Sequence, residues 1–429
     1  MPGNKQQTGG RAGVVGAGIA GLSAAVALRR GGWQVEVFER SLFQNEIGAA
    51  ISVPPNATRV LDRWGLDMSK AMPVPNQQSR LLRAADLTMF SHFQYPDIAE
   101  ETGHASWSFH RVDLHQGLRH LATTTEHQGQ PVVIRLGCEV QSIDCESGTL
   151  EFADGAKVEN DLSRLIEDFT GHPSAVQRTG RSVYRWLVDM DNIMADDDLR
   201  RHYAGELPGF VGWFDAEKNV LWVNYTCRGG KVLNNAVVHE TRTGEGDRDL
   251  WHSPVSHEQV LTVLENFDPS VRRMVNMASE DGIKVYHLFK RPPLSSFVRG
   301  RSAVVGDAAH VMMPTHASGC AMAVESAASI EVLFDGVKGD DQQRIKQRLV
   351  LFDKLRLPRC NLAMLASNAG PQWLAVPGVE EEVRKFYSGP LPPVGALPWD
   401  DQFRKLLFHH DEYSAAERVL DAATGGESK

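Results

Sequence analysis

The apolar and polar positions of the first forty residues follow the order of a strand, a helix and a second strand. An apolar run ends at Val15, the alanine-rich segment 19–28 has the composition of a helix, and apolar residues recur at 35–38. Gly31 and Gly32 lie where such a helix would end. The pattern therefore predicts a βαβ unit, in which the helix connects two parallel strands.

Further along, the pattern separates a region of alternating strands from helical regions on either side. Period-two alternation predicts strands in 79–95, 131–161 and 182–238, with a hairpin that turns at Asp154 and Gly155. Helical spacing or alanine-rich composition predicts helices in 107–122, 256–280, 319–334 and 340–368. The apolar run 303–305 predicts one more buried strand.

These elements predict an α/β protein of two or three domains. We expect a Rossmann-like dinucleotide-binding domain in two parts, 11–170 and 281–368, of which the second includes a long helix. The segment 171–280 is expected to form an inserted antiparallel-sheet domain that holds the substrate. The remaining residues, 369–429, are expected to form a C-terminal appendage on the surface.

The turn between the first strand and the first helix carries the pattern G-x-G-x-x-G at Gly16, Gly18 and Gly21. Gly16 permits a tight turn, Gly18 lets a pyrophosphate approach the backbone, and Gly21 lets the helix pack close to the sheet. The helix N-terminus offers free N–H groups to phosphates. Glu39 ends the second strand, where a carboxylate can accept hydrogen bonds from a ribose diol. The unit predicts a dinucleotide site but does not separate FAD from NAD.

Composition narrows the class of protein without changing this architecture. The 429 residues are 42% hydrophobic and 23% charged, as in ordinary globular proteins, and the formal net charge is −9. A negative charge argues against nucleic acid or an anionic membrane as the main partner. The five cysteines have no C-x-x-C spacing. Neither a disulfide framework nor a structural zinc site is therefore expected, and a reducing compartment is favoured.

The N-terminal residues and the length of the apolar runs indicate where in the cell the protein is expected. The start, MPGNKQQTGG, is polar, so no secretory signal is predicted. No apolar run has the length of a membrane span. We expect a cytoplasmic protein without a membrane span, and the sequence leaves its oligomeric state open.

Three motifs together resemble those of the class A flavin-dependent aromatic hydroxylases, and most closely the salicylate hydroxylase-like monooxygenases of secondary metabolism. They are GAGIAGLSAAVAL with Glu39, FHRVDLH with Arg111, and GDAAHVMMPTHASG with Asp307, and the resemblance extends over residues 11–365. It implies FAD as the bound dinucleotide and NAD(P)H and O₂ as co-substrates. It also implies a small phenolic or other electron-rich aromatic substrate.

The resemblance assigns four further residues to the flavin. Asp307 would accept a hydrogen bond from the ribityl chain, and a helix beginning near Gly319 would direct its N-terminal N–H groups at the flavin ring. The small residues up to Ala50 let the backbone lie close to a flat ligand, and Arg111 precedes a helix in the second motif. A helix cap remains an alternative for Asp307, and a surface salt bridge for Arg111.

The candidate catalytic residues are Arg185, Tyr225 and His316. Arg185 in SVYRWL occupies the position of a substrate-side arginine in the family, and Tyr225 lies in a Y-x-C-R pattern with Thr226 where proline is usual. A phenol has an ordinary pKa of about 10, so a cation or a hydrogen bond is needed to favour the reactive phenolate. His316 lies in the flavin loop, whereas His310 is expected to be structural.

The chain departs from the family pattern after the predicted hairpin. Members of the family have an apolar strand there that ends in Gly-Ala-Asp-Gly and contacts the FAD pyrophosphate. Here residues 160–162, Asn-Asp-Leu, pass directly to Ser163 and Arg164, and the triplet at 153–155 lies too early.

Three hypotheses stay open for a chain that lacks this strand. The first is an active hydroxylase whose pyrophosphate site is held by other groups. The second is a defective or non-catalytic relative, or an error in the predicted gene. The third is a flavin-free Rossmann protein that binds a partner or NAD.

Overall fold

The structure is a computed structural model, and it describes residues 10–43, 48–127, 129–153, 169, 176–245 and 252–425. In chain order, the described strands are β1 (Arg11–Val15), β2 (Gln34–Glu39), β3 (Ala50–Val53), β4 (Val74–Pro75), β5 (Gln78–Arg83), β6 (Met89–Gln94), β7 (Trp107–His110), β8 (Val133–Leu136), β9 (Val140–Asp144), β10 (Thr149–Phe152), β11 (Gln177–Asp189), β12 (Gly209–Asp215), β13 (Val220–Cys227), β14 (Val232–Glu240), β15 (His252–Pro254), β16 (Lys284–Lys290), β17 (Val298–Arg299) and β18 (Ser302–Ala303).

The described helices are α1 (Ile19–Arg30), α2 (Pro55–Trp64), α3 (Met68–Ala71), α4 (Ile98–Thr102), α5 (Arg111–Thr123), α6 (Met190–Ala195), α7 (Asp197–Arg200), α8 (His257–Val263), α9 (Pro269–Asn276), α10 (Asp307–His310), α11 (Gly319–Phe334), α12 (Gln342–Ala369), α13 (Val379–Arg384), α14 (Asp401–Leu407) and α15 (Glu412–Thr424). Within these ranges, none of the helices combines the length and the apolar character that crossing a bilayer requires.

The predicted βαβ unit is confirmed. β1 pairs in parallel with β2, β2 pairs in parallel with β8, and α1 connects the first two strands. Alanines on α1 and α11 are buried in one hydrophobic core, and Gly31 caps the end of α1. Because small side chains let two helix axes approach closely, α11 brings the second half of the chain against the first unit.

The predicted inserted sheet is present and is antiparallel except for the parallel pairing of β5 with β12, but it extends beyond the predicted segment. Its strand order is β15-β16-β11-β14-β13-β12-β5-β6. β5 and β6 come from residues 78–94, and β16 comes from 284–290, so three of the eight strands lie outside the predicted segment 171–280. Strands from before and after the predicted segment are therefore needed to complete this sheet.

The two faces of this sheet have different partners. Tyr184, Trp186 and Trp222 are buried with α8 and α9 in a separate hydrophobic core. Side chains alternate across a strand, so the neighbouring Arg185 and Tyr225 lie on the opposite face. That second face is turned toward β3, because the Tyr225 hydroxyl contacts Ala50 of that strand.

The outer edge of β1 differs from the usual interior of a parallel sheet. Strands in the interior of a parallel sheet have a neighbouring strand on each side, yet β1 has only β2 as a partner among the described residues. Val15 is 39% exposed. The buried strand expected at 303–305 is wrong, because only Ser302–Ala303 is a strand, and it pairs with β17 rather than with β1.

The hairpin expected to turn at Asp154 and Gly155 lies outside the described residues, as do residues 159–164 around the missing strand. The described hairpin in this region is β9–β10, which pairs Asp144 with Thr149.

The C-terminal segment, expected to be a surface appendage, contributes buried side chains instead. Glu412 at the start of α15 is 1% exposed and forms an ion pair with Arg356 of α12. Arg356 also lies 2.9 Å from Glu325 of α11, and Arg359 contacts the same carboxylate at 2.7 Å. Burial opposes the ionisation of Glu325, yet the two guanidinium groups hold the pKa of that carboxyl below its usual value. The network ties three helices together.

We expect Glu412→Ala to lower the free energy of unfolding by about 3 kcal/mol, because it leaves the guanidinium of Arg356 buried with one partner fewer. Chemical denaturation followed by far-UV circular dichroism measures this change. The matched control is Glu417→Ala, on the exposed side of the same helix, which should change stability by less than about 0.5 kcal/mol. Equal stability of the two variants would contradict the role of the buried network.

Candidate cofactor and substrate site

The three loop glycines have three different environments. Gly16 has a φ of +92°, a left-handed conformation that favours glycine. A Cβ on Gly21 would lie 1.9 Å from the Gly16 carbonyl oxygen, so close helix packing requires glycine there. A Cβ on Gly18 would meet no atom within 4 Å. Gly21 is therefore needed by the fold itself, whereas the space beside Gly18 is open to a ligand.

Glu39 links the glycine loop to the residues that follow β2. Its Oε2 accepts a hydrogen bond from the Ala17 N–H at 2.7 Å, and its Oε1 accepts one from the Ser41 N–H at 2.7 Å. A carboxylate has about four lone-pair positions, so both oxygens keep capacity for hydroxyl donors. Glu39 therefore lies beside the glycine loop, as the sequence predicts, and one of its hydrogen bonds holds that loop.

The late Gly-Asp motif lies against the first turn of α1. Gly306 has a φ of +62°, and a Cβ there would lie 2.4 Å from the Ala20 Cβ. Gly306 is the N-cap of α10, so the alternative that Asp307 caps this helix is wrong. Asp307 is exposed as the first residue of the helix. The two motifs, almost 300 residues apart in sequence, thus form one surface.

Gly319 begins α11 as predicted, and the N-terminus of that helix has room for a ligand. A Cβ on Gly319 would meet no atom within 4 Å, and the Ser318 side chain makes no capping hydrogen bond. The first turn contains no acidic residue, so the partial positive charge of the helix end is not neutralised there.

We call the region of the glycine loop, Asp307 and the N-terminus of α11 the cofactor side, and the eight-stranded sheet, after its predicted role, the substrate sheet. Arg111 begins α5 and lies between the two. Its side chain is exposed and makes no ion pair with any described residue, so the alternative of a surface salt bridge has no support within these residues. Burial raises the pKa of Cys320, in the first turn of α11, to about 12, and the Arg111 charge opposes this shift. The same charge opposes the increase that burial causes in the pKa of Tyr286 on β16.

Arg185 lies on the face of the substrate sheet that is opposite to α8 and α9. Its Cζ is 5.9 Å from the centroid of the Tyr286 ring, its Nε is buried without a hydrogen-bond partner, and no carboxylate in the described ranges pairs with it. Burial raises the pKa of Tyr225 to about 12, and the positive charge of Arg185 opposes the shift. The Arg185 charge therefore offsets part of the unfavourable effect of burial on the phenolate form of Tyr225.

Tyr225 differs from the expectation that it faces the substrate. Its hydroxyl donates a hydrogen bond to the Ala50 carbonyl oxygen at 2.9 Å, and its ring packs edge-on against Phe210. Ala50 is itself only 4% exposed, and its N–H donates to Asn234 Oδ1 at 3.0 Å. The backbone of Ala50, predicted to contact the cofactor, thus has both polar groups bound to the substrate sheet.

The environment of His316 does not favour the catalytic role predicted for it. It is 1% exposed, its ring packs on Phe403, and its Nδ1 lies 3.3 Å from Ser367 Oγ. Burial lowers the pKa of His316 to about 3, which keeps the ring neutral. His310 is fully buried, as expected of a structural histidine, and burial lowers its pKa to about 4.

An aromatic cluster closes one end of the sheet face that carries Arg185. Trp399, from the C-terminal segment, packs against Phe210 and stacks on Tyr95. Trp399 has a φ of +76°, unusual for a bulky residue, and its carbonyl oxygen accepts a hydrogen bond from Arg404 Nη1 at 2.8 Å. The cluster covers Tyr225 and therefore belongs to the surroundings of the site.

Sequence reasoning missed two polar residues that link the two domains. Asn234 was detectable, because Asn234 and Asn235 interrupt an otherwise apolar strand. Asp113 forms a two-point ion pair with Arg228, at 2.8 Å to Nε and 2.9 Å to Nη2. The partners of that pair are 115 residues apart, so the sequence alone offered no signal for it.

The residues on both sides of this surface fit an FAD molecule. The open space at Gly18 and the N-terminus of α1 suit a pyrophosphate, and Glu39 suits a ribose diol. The exposed Asp307 carboxylate and the N-terminus of α11 suit the ribityl chain and the flavin ring. The one group of the pattern without a counterpart in the sequence is the Gly-Ala-Asp-Gly turn.

Comparison with known proteins supports this interpretation of the geometry. The NAD(P)-binding Rossmann-like domain matches residues 14–62. The chain is 29% identical to the FAD-dependent monooxygenase cfoG of Aspergillus candidus over 428 residues, covering 95% of this chain and 94% of that protein. It is 29% identical to hispidin-3-hydroxylase of Neonothopanus nambi over 377 residues, covering 82% and 86%.

A solved structure gives the fold. A salicylate hydroxylase in complex with its substrate superimposes with a TM-score of 0.72 at 20% identity, covering 96% of this chain and 98% of the other. The chain is thus similar in sequence to FAD-dependent monooxygenases over most of its length and shares the fold of a salicylate hydroxylase, in agreement with its resemblance to the class A flavin aromatic hydroxylases.

Proposed function

We propose that this protein is an FAD-dependent monooxygenase that uses NAD(P)H and O₂ to hydroxylate a phenolic or related electron-rich aromatic compound, in secondary metabolism. The observation that carries the proposal is the contact of Gly306 with Ala20, which joins the two flavin motifs into one surface. Monooxygenases and hydroxylases among its relatives support the reaction class. The five free cysteines fit a reducing compartment such as the cytoplasm.

Different residues would bind the two ends of the FAD molecule. The glycine loop and α1 would hold the pyrophosphate, and Glu39 would hold the ribose. Asp307, Arg111 and the N-terminus of α11 would hold the flavin end. Bound FAD would supply the redox chemistry that activates oxygen and transfers one of its atoms to the ring.

Arg185 is the group that we assign to the substrate. It carries a positive charge that no described carboxylate neutralises, on the sheet face turned toward the cofactor side. A cation near a phenol lowers the phenol pKa, so Arg185 would increase the fraction of reactive phenolate and orient the ring. The aromatic cluster at Phe210 and Trp399 limits access of water from one end.

A defective relative remains a second candidate because of the outer edge of β1. The apolar strand that the family places after the hairpin is missing from the sequence, and the described residues provide no second neighbour for β1. Losing such a strand removes ladder hydrogen bonds, apolar burial and a pyrophosphate-binding turn. We therefore infer weak FAD binding and slow turnover for the chain as written.

Gly18→Val should abolish FAD retention while leaving the fold intact. The new side chain enters the open space assigned to the pyrophosphate and touches no protein atom at its Cβ. The flavin content is measured by absorbance at about 450 nm after gel filtration, and the fold is checked by circular dichroism. Gly21→Val is the contrasting variant, since its Cβ would overlap the Gly16 carbonyl and disturb the fold itself. A full complement of flavin in Gly18→Val would remove the loop from the cofactor site.

Arg185→Ala should lower hydroxylation at least about tenfold and leave the FAD content unchanged, because the guanidinium acts on the phenol. Product formation and bound flavin are measured on the same preparation. Arg178→Ala, at the other end of β11, is the control and should keep its activity. If Arg185→Ala loses its flavin, the residue serves the cofactor rather than the substrate.

Inserting an apolar strand that ends in Gly-Ala-Asp-Gly between Leu162 and Ser163 should raise the FAD affinity and restore or increase activity. The insertion supplies a neighbour for β1 and the missing turn. Titration with FAD gives the affinity, and a Gly-Ser insertion of equal length serves as the control. Stoichiometric FAD and efficient hydroxylation in the unmodified chain would show that a compensating site exists.

A further inference from the structure

Two neighbouring side chains of the substrate sheet hold one residue of the cofactor side by both of its backbone groups. Tyr225 on β13 and Asn234 on β14 are direct cross-strand partners. The Tyr225 hydroxyl donates to the Ala50 carbonyl oxygen at 2.9 Å, and Asn234 Oδ1 accepts from the Ala50 N–H at 3.0 Å. The pair thus offers Ala50 one donor and one acceptor, as a neighbouring strand would.

The position of Ala50 explains why such a pair is needed. β3 uses its other edge to pair with β7, where Ala50 lies opposite His110. Ala50 is 4% exposed, so water does not satisfy its outward N–H and C=O groups. An unpaired buried backbone group costs about 1–3 kcal/mol. The two side chains therefore take the place of a missing strand at this edge.

The short segment 48–50, which ends at Ala50, is also held by contacts with β7 and α5. The Ala49 carbonyl oxygen accepts a hydrogen bond from the Arg111 N–H at 2.8 Å, which ties it to the start of α5. A Cβ on Gly48 would lie 2.1 Å from the His110 ring, so the chain runs close to β7 there. Residues 48–50 are the small residues that the sequence pattern places beside the flat part of the cofactor.

Both side chains of the pair are held rigidly. Asn234 is 2% exposed, and the Tyr225 ring packs against Phe210, which in turn packs against Trp399. Burial keeps the Tyr225 hydroxyl protonated by raising its pKa to about 12, so it remains a donor at physiological pH. The hydroxyl donates its hydrogen bond to the Ala50 carbonyl oxygen, which is not expected of a residue whose only role is to contact substrate.

We propose that Tyr225 and Asn234 are positioning residues: by holding both backbone groups of Ala50, they set the place of residues 48–50 relative to the substrate sheet, and hence the position of the flavin relative to the aromatic substrate. The last step of this inference rests on the proposed function, whereas the hold on Ala50 does not.

The same sheet provides a matched control. Tyr203 donates a hydrogen bond to Asn224 Oδ1 at 2.8 Å. Asn224 precedes Tyr225 on β13 and therefore points to the opposite face, away from Ala50. Tyr203→Phe thus removes a hydroxyl bonded to a buried asparagine of the same strand without touching the cofactor side.

The first measurement is hydrogen–deuterium exchange of peptides that cover residues 48–53, and it needs no bound flavin. Tyr225→Phe and Asn234→Ala should each increase exchange there by about fivefold or more, because each loses one hydrogen bond to Ala50. The double variant should show less than the product of the two effects, since both partners hold the same residue. Tyr203→Phe should leave these peptides unchanged. Unchanged exchange in the two test variants would overturn the hold on Ala50.

The second measurement uses protein loaded with FAD. Both variants should shift the visible flavin band and reduce the fraction of NAD(P)H oxidation that yields product by about threefold or more, with the substrate KM within about twofold. A tenfold increase in KM with an unmoved flavin band would show that Tyr225 acts on the substrate, and would overturn the positioning role. Wild-type protein that takes up no FAD would refute the proposed function, while the exchange experiment would still decide the hold on Ala50.

Discussion

The close approach of α11 to α1 is the constraint on which the rest of this structure depends. Both helices present alanines to one another, and the turn that precedes α10 touches Ala20 with no space for a Cβ at Gly306. Larger side chains would separate the helices and split the candidate cofactor surface into two halves. Small residues in both motifs are therefore needed for packing as well as for access of a ligand.

Much of this architecture could be predicted from the sequence because its signals are local. The glycine loop, α1 and β2 follow from spacing within thirty residues, and the long strands of the inserted sheet follow from period-two alternation. These features need no knowledge of distant contacts.

The remaining features depend on contacts between residues far apart in the chain. β5 and β6 join the inserted sheet through a parallel pairing of β5 with β12, more than 120 residues later. The hydroxyl of Tyr225 binds a backbone group 175 residues away, and His316 is buried under Phe403 of the C-terminal segment. Residue type alone could not show that one candidate positions a strand and the other fills a core. The apolar run 303–305 was predicted as a buried strand, but only Ser302–Ala303 is a strand, and its pairing with β17 could not be seen in the run itself.

The buried network of Glu325, Arg356 and Glu412 also sets the order in which the molecule can be completed as it leaves the ribosome. Glu325 lies on α11, yet Arg356 follows it by 31 residues and Glu412 by 87. The N-terminal βαβ unit is synthesised first but obtains its packing partner only after the whole inserted sheet has emerged. Until α15 has been synthesised, the buried Arg356 lacks one of its two carboxylates, and α11, which faces the cofactor site, is incompletely anchored. The cofactor surface is therefore completed only after Glu412 has been translated, almost 400 residues after the glycine loop.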